Sequence, residues 1–120
     1  MSLPRRFVVL RHEGHGATHF DLLIEAGAAL AAWQFAAAPT LLPAGGTLAG
    51  RRLADHRTAY LDYEGPVSGG RGRVEREAGG DCEVLCATDE CWRLEFRGPT
   101  LHGSYTLTRH TTAWALTRGT

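Results

Sequence analysis

The chain has 120 residues, and its 13 basic and 13 acidic residues balance to a formal net charge of zero. A balanced surface has no general attraction to nucleic acid, so any site that binds an anion must be local. The length and the 43% hydrophobic fraction exclude a disordered chain and predict one globular domain spanning residues 1–120.

All 13 basic residues are arginines, whose planar guanidinium suits phosphate and carboxylate ligands. The three cysteines follow no common zinc-binding spacing and cannot all pair, so we expect free thiols in a reducing cytoplasm. Cys82, Val84 and Cys86 alternate, which predicts that they share one face of a strand as core residues. No segment has the apolar length of a signal sequence or a membrane span, so we expect a cytoplasmic monomer without a membrane partner.

Glycine and proline divide the chain into short segments at near-regular spacing, which is typical of an all-β sandwich or barrel. RFVVLRH at 6–12 and HFDLLIEA at 19–26 are predicted strands. ALAAWQFA at 29–36 is a third strand, although its alanines would also tolerate a helix. Residues 38–46 contain two prolines and are predicted to be a loop, and residues 46–54 can be extended.

The second half of the chain continues the β pattern. The alternation of Trp92, Leu94 and Phe96 with Arg93 and Arg97 predicts a strand with one buried and one solvated face. The glycine-rich segments AGGD and SGGRGRV are predicted turns, and the second could instead offer backbone N–H groups to phosphate. About eight antiparallel strands with short surface helical turns would close most economically as a small β-barrel. The further predicted strands are 71–77, 82–88, 91–98, 102–110 and 113–119.

The segment RHEGHGATHFD, residues 11–21, concentrates potential metal ligands. Alternate residues of a strand share a face, so His19 and Asp21 are expected on the solvated side, opposite Leu22. A hairpin loop would return His12 to the start of the second strand. Two imidazoles and one carboxylate can hold a divalent ion and leave coordination positions open. A polar hairpin without metal remains the alternative. His15 is expected to be exposed to solvent or to lie just outside the ligand set.

A second polar group occurs in RRLADHRTAYLDYEGP at 51–66. His56 and Tyr60 form a set suited to phosphate binding and proton transfer, together with the nearby arginines Arg51, Arg52 and Arg57. The same residues would also suit an ordinary surface at the edge of the core.

Together these motifs resemble the 3′-phosphoesterase domain of bacterial DNA ligase D and its stand-alone relatives. The matching segments are FVVLRH followed by THFDLLIE, then RRLADHRTAYLDYEG, and finally WRLEFRGPTLHGSYTLTRHTTAWALTR. Their order is that of the family, and the resemblance runs from about residue 6 to residue 118.

The resemblance implies a small antiparallel β-barrel that removes 3′-terminal phosphate, and a 3′-terminal ribonucleoside, from DNA ends during repair. It implies a divalent metal, manganese first with zinc or cobalt as alternatives, and DNA or RNA/DNA 3′ ends as partners, together with a repair ligase or polymerase. The metal ligands would be His12, His19 and Asp21. The residues that act on phosphate would be Arg52, His56 and Tyr60.

This chain departs from the family at several points. Leu23 stands where the family has an arginine that helps hold phosphate, and Arg11, Arg71 or Arg73 could substitute for it. The interval between His12 and His19 is one residue longer than in the family. Two alternatives to the enzyme therefore stay open: a non-catalytic, metal-containing barrel that binds nucleic-acid ends or a protein, and a hydrolase for another phosphorylated substrate.

Overall fold

The computed structural model describes residues 4–120, and within them nine strands form one antiparallel sheet. Two short 3-10 helices, Pro39–Leu41 and Thr58–Leu61, lie in the connections. The strands are β1 Arg5–Glu13, β2 His19–Ala26, β3 Ala29–Phe35, β4 Thr47–His56, β5 Gly65–Pro66, β6 Arg73–Ala87, β7 Cys91–Arg97, β8 His102–His110 and β9 Ala113–Arg118.

Eight of these strands close into a barrel because β1 pairs with β2 on one side and with β6 on the other. The order around the barrel is β1-β2-β3-β4-β9-β8-β7-β6, and β5 adds two residues to the edge of β6. The predicted antiparallel barrel with short helical turns is therefore confirmed, and the alanine-rich third segment is a strand. Within residues 4–120 neither 3-10 helix is long and apolar enough to cross a bilayer.

The predicted turn at AGGD is wrong, because residues 73–87 form one continuous strand. The first part of β6, residues 73–82, pairs with β1, and its last part, residues 81–87, pairs with β7. Gly80 has a φ of 146° and lies so close to Gly98 that an added Cβ would be 2.9 Å from the Gly98 Cα. Glycine thus permits a bend and a close backbone approach here, where the local sequence resembles a turn.

The barrel interior is the main hydrophobic core. Trp92, Leu94 and Phe96 point inward and are buried, whereas Arg93 and Arg97 are exposed, as the alternation predicts. Three tryptophans meet inside the barrel, where the Trp33 ring packs edge-on against Trp92 and Trp114 at centroid distances of 4.9 and 5.8 Å. Such aromatic packing fills a narrow barrel with few side chains.

A second hydrophobic cluster, which we call the outer core, covers the outside of the barrel over β1, β2 and β3. The segment 57–72 crosses this face and contributes Leu61 and Val67 to the cluster. The expectation that this side of β2 is solvated is therefore wrong, since Leu23 has no exposed surface. The full cluster is Val8, Leu10, Leu23, Leu30, Ala32, Leu61, Val67 and Val74.

The three cysteines are free, and only Cys82 is fully buried. Burial raises the pKa of the Cys82 thiol to about 12, so the group stays protonated. The predicted common face is wrong for Cys86, because a bulge between Val84 and Cys86 pairs Cys86 with the outward-pointing Arg93. An extra residue in a strand reverses the face of every residue that follows it.

We expect the substitution Gly80→Ala to destabilise the barrel. The positive φ costs roughly 1–2 kcal/mol for an L side chain, and the contact with Gly98 adds roughly 1–3 kcal/mol. Gly103→Ala is the matched control, because Gly103 also has a positive φ but an added Cβ there would meet nothing within 4 Å. Denaturant unfolding measures both variants, and equal losses of stability would contradict a role for the close approach.

Candidate metal centre

His12, His19 and Asp21 lie together at one end of the β1–β2 hairpin. His12 and His19 are direct cross-strand partners, and their ring centroids are 4.6 Å apart. Asp21 follows two residues later on the same face, with 3.8 Å from Oδ2 to His12 Nδ1 and 3.6 Å from Oδ1 to His19 Nε2. One potential ligand atom from each residue lies within 4.8 Å of the other two, so the group could hold a metal ion.

The longer interval between the two histidines does not separate them. The extra length is taken up in the exposed loop, where Gly14 and Gly16 adopt positive φ angles. His15, on this loop, is exposed as expected, and its ring centroid is 6.2 Å from that of His12. It belongs to the surroundings of the group and not to the three close residues.

The outer nitrogen of each imidazole is held by a backbone carbonyl. His12 Nε2 lies 2.5 Å from the Arg71 carbonyl, and His19 Nδ1 lies 3.2 Å from the Ala17 carbonyl. A carbonyl oxygen only accepts, so these ring nitrogens must donate. In the neutral imidazole the inner nitrogens, His12 Nδ1 and His19 Nε2, then carry lone pairs, and these are the atoms nearest to Asp21. Carbonyls that orient the ring in this way are typical of metal-ligating histidines.

The carboxylate of Asp21 is the one buried charged group of the described chain, with 5% of its surface exposed. Its Oδ1 is buried and accepts no hydrogen bond from residues 4–120. Burial raises the pKa of this carboxyl group, while His19, His56, His12 and Arg51 oppose the rise by electrostatic attraction. A carboxylate and two lone pairs that face one another repel unless a cation or a proton lies among them. The donor set therefore fits a divalent ion.

His56 and Tyr60 reach the same side of the barrel as this group. A bulge in the pairing of β3 with β4 places His56 opposite Leu30, on the outer face. His56 Nδ1 donates to the Ala54 carbonyl at 2.9 Å, which leaves Nε2 for another partner. The Tyr60 ring packs edge-on against His56 at 5.9 Å and also contacts the outer core.

Arg52, by contrast, is not brought to the group. It pairs with Trp33 and points into the barrel, where its guanidinium carbon lies 4.4 Å from the centroid of the Trp33 ring. The rings of Trp92 and Trp114 are also within 6 Å of that carbon, at 5.6 and 5.9 Å. The contact is a cation–π interaction with three tryptophans. The neighbouring Arg51 lies on the outer face instead.

A cavity of about 1060 Å³ opens beside the three residues. His12, His19 and Asp21 form part of its wall, and His56 and Tyr60 form another part. Three arginines also line it, namely Arg51, Arg57 and Arg71. The sequence groups Arg51, Arg52 and Arg57 near His56, but it does not say which of them reach the cavity. That is decided by the pairing of β4 and by the path of segment 57–72.

The other arginines that could replace the family's phosphate arginine have different partners. Arg11 is bound by Glu13 and Glu75 at 2.8 and 2.5 Å. Arg73 lies 3.4 Å from Glu75. Leu23 itself faces the same side as Asp21, but it is enclosed by the outer core. Of the three candidates from the sequence, only Arg71 lines the cavity.

Comparison with known proteins does not assign this chain to a family. A scan against protein-family models gives no match, and a search of curated proteins gives none either.

We expect Asp21→Asn to raise the stability of the metal-free protein at neutral pH. The raised pKa means that the folded protein holds the Asp21 proton more tightly than the unfolded chain, so ionisation destabilises the fold. This destabilisation is absent at pH values below the pKa of Asp21 in the unfolded chain. It is fully present at pH values above the pKa of Asp21 in the folded protein. Asparagine also supplies N–H donors to the two imidazoles.

Melting temperatures measured in chelator across a pH series check this prediction. The difference in melting temperature between the variant and the parent should decrease as the pH falls. In a separate measurement without chelator, added divalent metal should stabilise the parent but not the variant. Asp62→Asn is the control, because exposed Arg6 lowers the pKa of Asp62 and its removal should give no gain. If the Asp21→Asn protein were less stable than the parent at neutral pH, the charge of Asp21 would not be the source of destabilisation that we infer.

We expect Gly72→Ala to weaken metal binding roughly 10- to 100-fold, as loss of a carbonyl that orients a ligand typically does. An added Cβ at Gly72 would lie 1.9 Å from the Glu13 carbonyl oxygen, so the loop that presents the Arg71 carbonyl to His12 must move. Gly70→Ala is the matched control, since Gly70 shares the positive φ but has open space. Calorimetric titration with Mn²⁺ distinguishes them, and equal affinities would count against the carbonyl's role.

Proposed function

We propose that this chain is a divalent-metal-dependent phosphoesterase that removes terminal phosphate from the 3′ ends of DNA, related to the phosphoesterase domain of bacterial DNA ligase D. The observation that carries the proposal is the buried group of His12, His19 and Asp21. Its inner atoms are all acceptors, and it forms the wall of a cavity lined by further histidine and arginine side chains.

We propose manganese as the metal, with zinc and cobalt as alternatives. His12 Nδ1, His19 Nε2 and a carboxylate oxygen of Asp21 would hold it, because these are the free acceptor atoms of the group. Three protein ligands leave positions open for solvent or substrate. When bound, such an ion polarises a phosphoryl oxygen and lowers the pKa of a bound water.

The chain's own residues would supply proton transfer and charge neutralisation. Because the Ala54 carbonyl holds His56 Nδ1, Nε2 is the atom that can donate to a phosphoryl oxygen or to the leaving 3′ oxygen. Tyr60 would act as a positioning residue through its edge-on contact with the His56 ring. The guanidinium groups along the cavity would stabilise the charge that develops on the phosphoryl oxygens.

The proposed partners are the 3′ ends of DNA or of RNA/DNA strands, and a repair ligase or polymerase. A neutral chain has little long-range attraction to a duplex, which favours recognition confined to the terminus. Removal of a terminal ribonucleoside is proposed as a second activity of the same site.

A non-catalytic, metal-containing barrel is the second candidate, and a specific observation favours it. The two positions at which the resemblance expects arginines near phosphate do not provide them: Leu23 is enclosed in the outer core, and Arg52 points at the interior tryptophans. Such a protein would bind nucleic-acid ends or a protein partner without turnover.

The experiment is incubation of the protein with Mn²⁺ and a primer–template that carries a 3′ phosphate, with release of inorganic phosphate as the readout. We expect metal-dependent release that falls at least roughly 100-fold in His12→Ala, because a metal ligand is lost. His102→Ala, on the exposed part of β8, is the matched control and should retain the parent rate.

Two outcomes would overturn the proposal. No release from a sample shown to bind Mn²⁺ would favour the non-catalytic barrel. Full metal binding and full release in His12→Ala would mean that the site itself is misassigned.

A further inference from the structure

Asp21 is the first of three residues that lie side by side on three neighbouring strands, next to the two histidines of the candidate metal centre. Asp21 on β2 pairs directly with Gln34 on β3, and Gln34 pairs directly with Arg51 on β4. Directly paired residues of a sheet point to the same face. Since neighbouring strands lie about 4.8 Å apart, the backbones of Asp21 and Arg51 are separated by roughly 10 Å. Arg51 thus stands across the cavity wall from the carboxylate.

The guanidinium of Arg51 is oriented but not neutralised. Its Nη2 donates to Gln34 Oε1 at 2.9 Å, and within residues 4–120 it has no carboxylate partner. The other strand arginines near the site differ, since Arg11 and Arg73 are paired with glutamates. A guanidinium carries five N–H donors, so one contact to an amide oxygen leaves a fork for a further acceptor.

The space around Arg51 is open. Arg51 is exposed, and Ala36, Ala49 and Gly50, which also line the cavity, carry no side chain larger than a methyl group. The amide of Gln34 has its oxygen bound to Arg51 and can present its NH₂ to a ligand.

We propose that Arg51, held in place by Gln34, is the residue that binds the phosphoryl group in this cavity, which we call the clamp. It would take the place of the arginine that is absent at Leu23 and of Arg52, whose guanidinium packs on the interior tryptophans. The ligand class is a terminal phosphomonoester, whose oxygens a guanidinium fork and an amide can bind together. Gln34 is a positioning residue that acts on the ligand mainly through Arg51. The clamp rests on the proposed function for its biological substrate, but it can be tested by binding alone.

The experiment is calorimetric titration of the Mn²⁺-loaded protein with inorganic phosphate, beside a titration of the metal-free protein with Mn²⁺. We expect Arg51→Gln to raise the Kd of phosphate roughly 10- to 100-fold, as loss of a charge-assisted contact does. The Kd of Mn²⁺ should stay within about 2-fold. Arg93→Gln removes the same charge from the exposed face of β7 and should change neither constant.

Gln34→Ala separates positioning from direct binding. We expect it to weaken phosphate binding in the parent but to have little effect in the Arg51→Gln background, because Gln34 then has nothing to orient. Equal effects in both backgrounds would overturn the positioning role. Where turnover is present, Arg51→Gln should raise KM more than it lowers kcat.

The failure of the clamp and the failure of the proposed function give different results. An unchanged phosphate Kd in Arg51→Gln, or a parent protein that binds Mn²⁺ but not phosphate, would overturn the clamp. Phosphate binding that depends on Arg51, without release of phosphate from a 3′-phosphorylated strand, would support the clamp and overturn the phosphoesterase.

Discussion

The pairing of β1 with two partners is the constraint on which the rest of the structure depends. Its pairing with β2 sets His12 opposite His19, and its pairing with β6 closes the barrel. The same closure brings the loop before β6 to the hairpin, where the Arg71 carbonyl meets His12 Nε2. The pairing that closes the barrel and the contact that orients the His12 imidazole therefore come from one arrangement of strands.

The outer core explains how a site on the outside of a small barrel can be buried. Segment 57–72 packs on the barrel wall and makes a second apolar layer beside the cavity. Asp21 lies at the edge of this layer, where little water can reach it. Burial makes its charge unfavourable in the absence of a cation, and the same burial strengthens its attraction to one. A cation held at this site would remove that cost, so metal binding would stabilise the fold.

Strand bulges decide which polar residues meet. In β4, strict alternation would place Arg52 and His56 on one face, as the resemblance implies for two residues that act on one phosphate. The bulge between β3 and β4 moves His56 to the outer face and leaves Arg52 inside with the tryptophans. The pairing of β3 with β4 also sets Arg51 directly opposite Gln34 on the outer face. A single extra residue in one strand therefore separates His56 from Arg52 and places it on the same face as Arg51.

The sequence by itself determined the class of fold, most of the strands and the set of three residues that could hold a metal ion. Period-2 alternation and turn residues depend on local geometry, and His12, His19 and Asp21 belong to one hairpin whose pairing is local. Only the tertiary structure decided that AGGD continues a strand, that Leu23 is covered, and that Arg51 faces the cavity in place of Arg52. Those outcomes depend on barrel closure, on a distant segment packing over β2 and on the pairing of β3 with β4. Each is a contact between residues far apart in the chain, which local pattern does not encode.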